Sequence, residues 1–185
     1  LEPICNLNSI PCLHVNNINS KEGVEWIKGK KPDVIFCFGW SNLIRKEILL
    51  IPIIGVLGYH PAKLPENRGR HPLIWPFILG MTSSASTFFF MSEGADDGDI
   101  LSQADFNIAY QDDARSLYDK VIILALSQLV EFIPKLESDN YLKISQNHSN
   151  SNTWRKRNNT DGAVDFRMTS RGIYNLVRGL TKPYV

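Results

Sequence analysis

The order of apolar and polar positions along the chain predicts alternating strands and helices. Val34–Phe38 and Ile54–Tyr59 are apolar on both faces, which is typical of strands buried within a parallel sheet. Ser20 and Ser41 are suitable N-caps for a helix before each of these strands, and Cys12–Val15 is a further short strand candidate. This alternation predicts an α/β fold with a mostly parallel sheet and helical crossovers.

The second half of the chain predicts two more strands and a long helix. The strands are Ser84–Met91, which contains three consecutive phenylalanines, and Ile100–Ile108. A broad apolar stripe then indicates a helix that Asp112 or Asp113 caps and that Pro134 kinks or ends. After it, the chain is polar and rich in Asn and Ser before one last short helix.

Composition and charge narrow the class of protein. The chain has 185 residues, of which 43% are hydrophobic and 21% charged, so it can bury the core of one domain and is not intrinsically disordered. Its formal net charge of +1 provides no bulk attraction to nucleic acid or to a membrane surface. There is no long apolar run, and three cysteines cannot all pair internally, which favours a cytoplasmic protein with reduced thiols.

Candidate chemistry is concentrated in two loops. His60 directly follows the strand Ile54–Tyr59, at the carboxyl end where open α/β sheets bind ligands, and histidine changes charge most easily near neutral pH. Asp96 lies in the acidic loop Glu93–Asp99, and a carboxylate beside an imidazole favours its protonated form and orients it. From these residues alone, His60 is as readily a histidine that only ends a strand, and a solvated acidic turn is the simpler interpretation of Asp96.

Two groups of cations are candidates for binding. Arg68, Arg70 and His71 precede a predicted helix N-terminus, an arrangement that suits a carboxylate or phosphate. The segment Trp154–Arg157 combines an aromatic ring with cations and could bind a nucleotide or RNA phosphates. For each of these two groups, cations that are simply exposed to solvent remain an alternative interpretation. The four histidines show no metal-ligand spacing, so no metal site is predicted.

Two segments together resemble the N10-formyltetrahydrofolate-dependent formyltransferases, whose members act on methionyl-tRNA, glycinamide ribonucleotide or sugars. Gly58–Arg70 contains His-Pro-x-x-Leu-Pro-x-x-Arg-Gly, and Met91–Leu101 contains Glu-Gly-x-Asp-x-Gly-Asp-Ile. The similarity extends from about Pro32 to Val185. It implies a Rossmann-like formyltransferase core over residues 1–140, lacking the family's usual N-terminal strand–helix units, and the start of a small C-terminal extension over residues 141–185.

The resemblance implies roles for individual residues. His60 would handle the protons of the attacking amine and of the tetrahedral intermediate, and Asp96 would orient it. The family's Asn, two residues before the His, falls on Gly58, which has no side-chain donor for the formyl oxygen. A water, a backbone N–H or Asn67 would have to replace it. The residues expected to hold the folate co-substrate are Asn42, Leu43, Ile44, Arg70, Ser92, Glu93, Gly94, Ala95 and Asp96.

The downstream segment suggests the acceptor. The loop with Trp154, Arg155 and Arg157 most resembles the sugar N-formyltransferases, which formylate a nucleotide-linked amino-dideoxy sugar for surface polysaccharide such as lipopolysaccharide. This implies a nucleotide-sugar partner and no membrane partner, argues against nucleic acid, and permits a homodimer. The alternatives are a methionyl-tRNA formyltransferase, a hydrolase that passes the formyl group to water, and a degenerate member that binds its ligands without turnover.

Overall fold

A computed structural model describes residues 1–40 and 42–184. Its helices and strands follow one another in the order α1 (Glu2–Leu7), α2 (Lys21–Lys30), β1 (Val34–Cys37), α3 (Lys46–Leu49), β2 (Gly55–His60), β3 (Arg68–Gly69), α4 (Trp75–Ile78), β4 (Ser83–Phe90), β5 (Ile100–Asn107), α5 (Ala114–Glu137), β6 (Thr153–Trp154) and α6 (Ser170–Gly179).

The main sheet has the strand order β1-β2-β4-β5 and confirms the α/β class. The sheet is mixed rather than mostly parallel: β1 and β2 are parallel, whereas β2 and β4, and β4 and β5, are antiparallel. The link between β4 and β5 explains part of this difference. It comprises only residues 91–99, and a crossover between parallel strands needs a dozen residues or more.

Helices cover the sheet and fill its core. α5 packs on β4 and β5; its Phe132 ring contacts the Phe88 ring, with centroids 4.9 Å apart, and Leu57 and Leu136 belong to the same apolar cluster. α2 and α3 form a second apolar cluster beside β1. α5 continues past Pro134 to Glu137, so the proline does not end the helix. Phe132 and Leu136 on either side of it are both buried, and this packing outweighs the loss of one backbone hydrogen bond at the proline.

Helix caps account for where α2 and α5 begin. The Ser20 hydroxyl accepts a hydrogen bond from the Gly23 N–H at 3.2 Å, and Asp113 forms a capping box with Ser116 at the start of α5. The predicted cap at Ser41 lies outside the described residues, and the helix after it is the single turn α3. Cys12–Val15 is not a strand.

The C-terminal part of the chain packs on the core. β6 pairs with β3 in parallel, so that Gly69 lies opposite Trp154. The predicted last short helix is α6; its N-cap is Thr169, whose side chain accepts a hydrogen bond from the Gly172 N–H, and Ser170 is its first helical residue. The buried guanidinium of Arg178 donates hydrogen bonds to the carbonyl oxygens of Ala109, Tyr110 and Asp112. The chain downstream of α5 therefore contacts both the loop that leads into that helix and the loop after His60.

Candidate functional site

The imidazole of His60 is buried at the carboxyl end of β2, with 5% of the residue exposed. Its Nε2 lies 2.8 Å from the carbonyl oxygen of Asn67 and its Nδ1 lies 3.6 Å from the Asp96 carboxylate. The first contact is a hydrogen bond in which Nε2–H donates, and the second is an ion-pair distance just beyond direct hydrogen bonding. These two acceptors fix the orientation of the imidazole ring.

The carboxylate of Asp96 is oriented from two sides. Its Oδ2 accepts a hydrogen bond from the Gly69 N–H at 2.9 Å, while the residue itself has a left-handed backbone conformation, with φ of 54°. The loop can adopt this path because residue 98 is glycine: a Cβ there would lie 1.8 Å from the Phe90 carbonyl oxygen. The acidic turn predicted around Asp96 therefore directs this carboxylate toward His60.

An asparagine pair fixes the turn that holds His60. Asn67 has a left-handed φ of 62°, and its N–H donates to the Asn152 side chain. The Asn152 amide donates in return to Asn67 Oδ1 at 3.3 Å. Asn67 is not among the described residues that line the cleft beside His60. Its side chain therefore points to Asn152 and offers no replacement for a donor at Gly58.

The cleft next to His60 and Asp96 has a volume of about 850 Å³, which is within the range of small-molecule sites. It brings together the end of β2, the loop between β4 and β5, and β6. The sequence-predicted site residues that line it are His60, Asp96, Asn42, Leu43, Arg70, His71, Gly94, Ala95, Trp154 and Arg155.

The other predicted site residues lie elsewhere. Ile44 is buried in the apolar cluster of α2 and α3, and Glu93 is exposed, 3.4 Å from Lys46. The Ser92 hydroxyl donates to the Asp97 carboxylate. Arg157 is buried and donates to the Asp161 carbonyl oxygen at 2.6 Å. Neither these four residues nor Arg68 is among the described residues that line the cleft.

Cations surround one end of the cleft. Burial lowers the pKa of His71, and the charges of Arg157, Arg70 and Lys156 lower it further. The guanidinium of Arg155 lies 5.5 Å from the centre of the Trp75 ring and is paired with Asp161, whose pKa it holds below the usual range. This end of the cleft is therefore electropositive and suits an anionic group.

Gly58 lines the same cleft and leaves no room for a side chain. It lies opposite Phe89 in the β2–β4 register. A Cβ at this position would be 2.8 Å from Phe89 Cζ and 3.0 Å from Met91 Cγ. The phenylalanine ring and the methionine thus fill the space two residues before His60, and the cleft wall there is apolar.

Comparison with known proteins identifies the family. The formyl transferase family model matches residues 8–133, which is more than half of the chain. The chain belongs to the formyl transferase family. The bifunctional polymyxin resistance protein ArnA of Wigglesworthia glossinidia brevipalpis is 33% identical to this formyl transferase chain over 177 residues, which are 96% of the chain and 27% of that protein.

Two further relatives place the formyl transferase chain within its family. The methionyl-tRNA formyltransferase of Clostridioides difficile (strain 630) is 33% identical over 173 residues, 94% of this chain and 56% of that enzyme. The sugar 3N-formyl transferase WlaRD, solved in the presence of dTDP and 5-N-formyl-THF, has a TM-score of 0.79 at 22% identity, covering 97% of this chain and 62% of WlaRD. This chain therefore has the formyl transferase fold and spans about a quarter to a half of its curated relatives' length.

Sequence reasoning missed Gln146, Asn152 and Tyr59 in this formyl transferase. Gln146 and Asn152 hold the two site loops, but they lie in a polar, aperiodic segment that the sequence only predicts to be a loop. Tyr59 lines the cleft, and burial raises its pKa to about 12 despite a hydrogen bond with Ser86. The apolar strand pattern places Tyr59 in a strand and contains no signal of its position at the cleft.

The described residues also bear on metals and membranes. Within residues 1–40 and 42–184, no three His, Cys, Asp or Glu side chains are grouped so that they could hold a metal ion. Among the helices described, none is both long and apolar enough to cross a membrane.

Proposed function

We propose that this formyl transferase moves a formyl group from N10-formyltetrahydrofolate to the amine of a nucleotide-linked amino-dideoxy sugar. The observation that carries the proposal is the His60–Asp96 pair, with an Nδ1–Oδ2 distance of 3.6 Å, at the wall of a cleft large enough for two ligands to meet. Family membership supports the type of reaction, and the electropositive end of the cleft supports an anionic acceptor.

The proposed reaction exchanges one C–N bond for another. The amine nitrogen of the sugar attacks the formyl carbon, the tetrahedral intermediate collapses, and the bond from that carbon to N10 of the folate breaks. One proton leaves the amine and one reaches N10, so the protein needs only a group that accepts and returns a proton. Because Nε2 of His60 is bonded to the Asn67 carbonyl oxygen, the proton passes along the side where Nδ1 faces Asp96.

The cleft has the chemistry that a folate requires. Leu43, Phe89 and Met91 provide apolar wall for a flat ring system, and Arg70 lies in the same lining with the backbone of Gly94 and Ala95. WlaRD, which shares this fold, was solved with 5-N-formyl-THF. We assign the folate to this part of the cleft, with N10-formyltetrahydrofolate as co-substrate and not as a resident group.

We assign the nucleotide-linked sugar to the part of the cleft that β6 lines, next to Arg70, whose N–H donates to the Trp154 carbonyl oxygen. Trp154 and Arg155 line it with Lys156, so an aromatic ring and cations are available for a base and a diphosphate. The second candidate acceptor is methionyl-tRNA, which the Clostridioides difficile relative favours. The net charge of +1 argues against this acceptor, because RNA binding depends largely on cationic side chains that neutralise phosphates.

A panel of acceptors tests the proposal. The full-length protein is incubated with N10-formyltetrahydrofolate and dTDP-linked 3-amino and 4-amino dideoxyhexoses, with methionyl-tRNA, or with no acceptor, and products are measured by mass spectrometry. We expect one amino sugar to be formylated. Formylation of methionyl-tRNA alone would establish the second candidate. Formate release without an acceptor would indicate a hydrolase, and tight folate binding without any product would indicate a binding protein.

A further inference from the structure

Gln146 connects the two loops that form the site. Its side-chain Nε2 donates hydrogen bonds to the carbonyl oxygens of Asp96, at 3.0 Å, and Gly98, at 2.6 Å. Its Oε1 accepts from Nε and Nη2 of Arg68, at 3.2 and 2.6 Å. Arg68 lies between Asn67, which binds His60, and Gly69, which binds the Asp96 carboxylate. One buried amide thus joins the turn behind His60 to the loop that carries Asp96.

Only an amide of this length satisfies all four contacts. An amide nitrogen has two hydrogens and an amide oxygen has two lone pairs, and every one of them is used here. The reversed amide would place oxygen against two carbonyl oxygens and NH₂ against a guanidinium, so the partners determine its orientation. Gln146 and Arg68 are 6% and 8% exposed, so water does not readily replace these bonds.

We infer that Gln146 is a positioning residue for formyl transfer, acting through Asp96. This inference rests on the proposed function. Asp96 has a left-handed backbone, which costs free energy for a residue other than glycine and needs support from its surroundings. Without the two bonds from Gln146 to the loop, the Asp96 carboxylate loses its fixed distance to Nδ1 of His60. A misplacement of about 1 Å can cost roughly 100-fold in rate.

The variant Gln146→Leu removes all four bonds at similar volume. We expect its kcat for formyl transfer to fall roughly 10- to 100-fold, with the KM for folate within about threefold of wild type. In an Asp96→Asn background the same change should cost less than about twofold, because Gln146 would act through the group already removed. An equal loss in both backgrounds would overturn the inference.

Gln128→Leu is the matched control. Gln128 is also buried, at 3% exposed, and also bridges two elements, by donating to the Ser86 carbonyl oxygen and the Ser102 hydroxyl, but it does not contact the Asp96 loop. We expect its transfer rate to stay within about twofold of wild type. A rate loss in Gln128→Leu equal to that in Gln146→Leu would show that any buried glutamine matters equally, and would contradict a positioning role.

A spectroscopic readout separates this inference from the proposed function. In protein labelled with ¹⁵N-histidine, the ring signals of His60 are identified by their loss in His60→Gln. We expect Gln146→Leu to move them in the same direction as Asp96→Asn, and Gln128→Leu to leave them in place. His60 signals unchanged in Gln146→Leu would overturn the inference even if transfer occurs. If no acceptor is formylated, the proposed function fails, and this comparison still decides whether Gln146 positions Asp96.

Should Gln146→Leu not fold, as judged by circular dichroism, Gln146→Glu provides the same test. A glutamate keeps the two acceptors toward Arg68 but cannot donate to the carbonyl oxygens of Asp96 and Gly98. We expect the same shift of the His60 signals and the same dependence on Asp96. A Gln146→Glu protein with wild-type signals and rate would contradict the inference.

Discussion

Neighbouring side chains and backbone groups determine what His60 can do. The Asn67 carbonyl oxygen fixes its Nε2 and the Asp96 carboxylate faces its Nδ1, so Nδ1 is the nitrogen that exchanges protons in the proposed reaction. The location of His60 at a sheet edge is predictable, because it follows an apolar strand directly. Its contact with Asn67 is not, because that contact depends on a left-handed turn that neither residue type requires.

Gly58 and Phe89 form a coupled pair. A Cβ at residue 58 would lie 2.8 Å from the Phe89 ring, so Gly58→Ala should lower the free energy of unfolding by about 1–3 kcal/mol through overpacking. Combined with Phe89→Leu, which shortens the opposing side chain, Gly58→Ala should cost much less than it does alone. Urea unfolding of the four proteins of this cycle measures the coupling.

Gly29→Ala is the control for that cycle. Gly29 lies within α2, and a Cβ there would meet nothing within 4 Å, so alanine should raise stability by about 0.5–1 kcal/mol. If Gly58→Ala also stabilises the protein, or if its cost is unchanged by Phe89→Leu, the ring does not fill this space. The resemblance to the family identifies residue 58 as a departure from its pattern. That Phe89 on β4 fills the space beside it becomes clear only from the pairing of β2 with β4.

At the scale of elements, the start of a helix is easier to predict than the direction of a strand. The N-caps Ser20 and Asp113 are predictable, because a short polar side chain precedes an amphipathic run. The direction of β4 is not, because the apolar pattern of a buried strand is the same in either direction. Cys12–Val15 shows that a short apolar pattern is not enough to predict a strand. Its four residues alternate as in a strand, but they pair with no other strand and do not adopt that structure.

Asp112 connects the start of α5 with α6. Burial alone would raise the pKa of its carboxyl group, but hydrogen bonds from Lys120, the Ala109 N–H and Ser116 outweigh burial and lower the pKa. Its carbonyl oxygen accepts from Arg178 at 3.0 Å. We expect Asp112→Asn to lower the free energy of unfolding at pH 7 by about 1.5–3 kcal/mol, the usual contribution of a hydrogen bond to a charged group.

The pH dependence of this penalty has a defined sign. Because the pKa of Asp112 is lower in the folded than in the unfolded protein, its stabilisation is present above the unfolded value and is lost as pH falls through the folded value. Urea unfolding should therefore show a smaller difference between Asp112→Asn and wild type at pH 3.5 than at pH 7. The exposed Asp105, paired with Lys63, is the control, and Asp105→Asn should have little effect at either pH. A penalty for Asp112→Asn that grows toward acid pH would contradict this account.

At the scale of the whole molecule, three separate stretches of chain form one cleft. The end of β2 contributes His60, the loop after β4 contributes Asp96, and β6 contributes Trp154. The resemblance to the formyltransferases predicts that the two motif-bearing loops are neighbours. The strand pattern alone does not, because β4 is antiparallel to β2 and their carboxyl ends point in opposite directions. The pairing of β6 with β3 over two residues is not, because it joins segments more than 80 residues apart that lack any strand periodicity.

The most direct test of the central claim is the single-turnover rate of formyl transfer from N10-formyltetrahydrofolate to the amino sugar found in the acceptor panel. It is measured for wild type and for His60→Ala, with circular dichroism showing that both are folded. The account predicts that His60→Ala is slower by roughly 100- to 10,000-fold, the usual contribution of a proton-transfer residue. A His60→Ala protein that transfers the formyl group at the wild-type rate would contradict it.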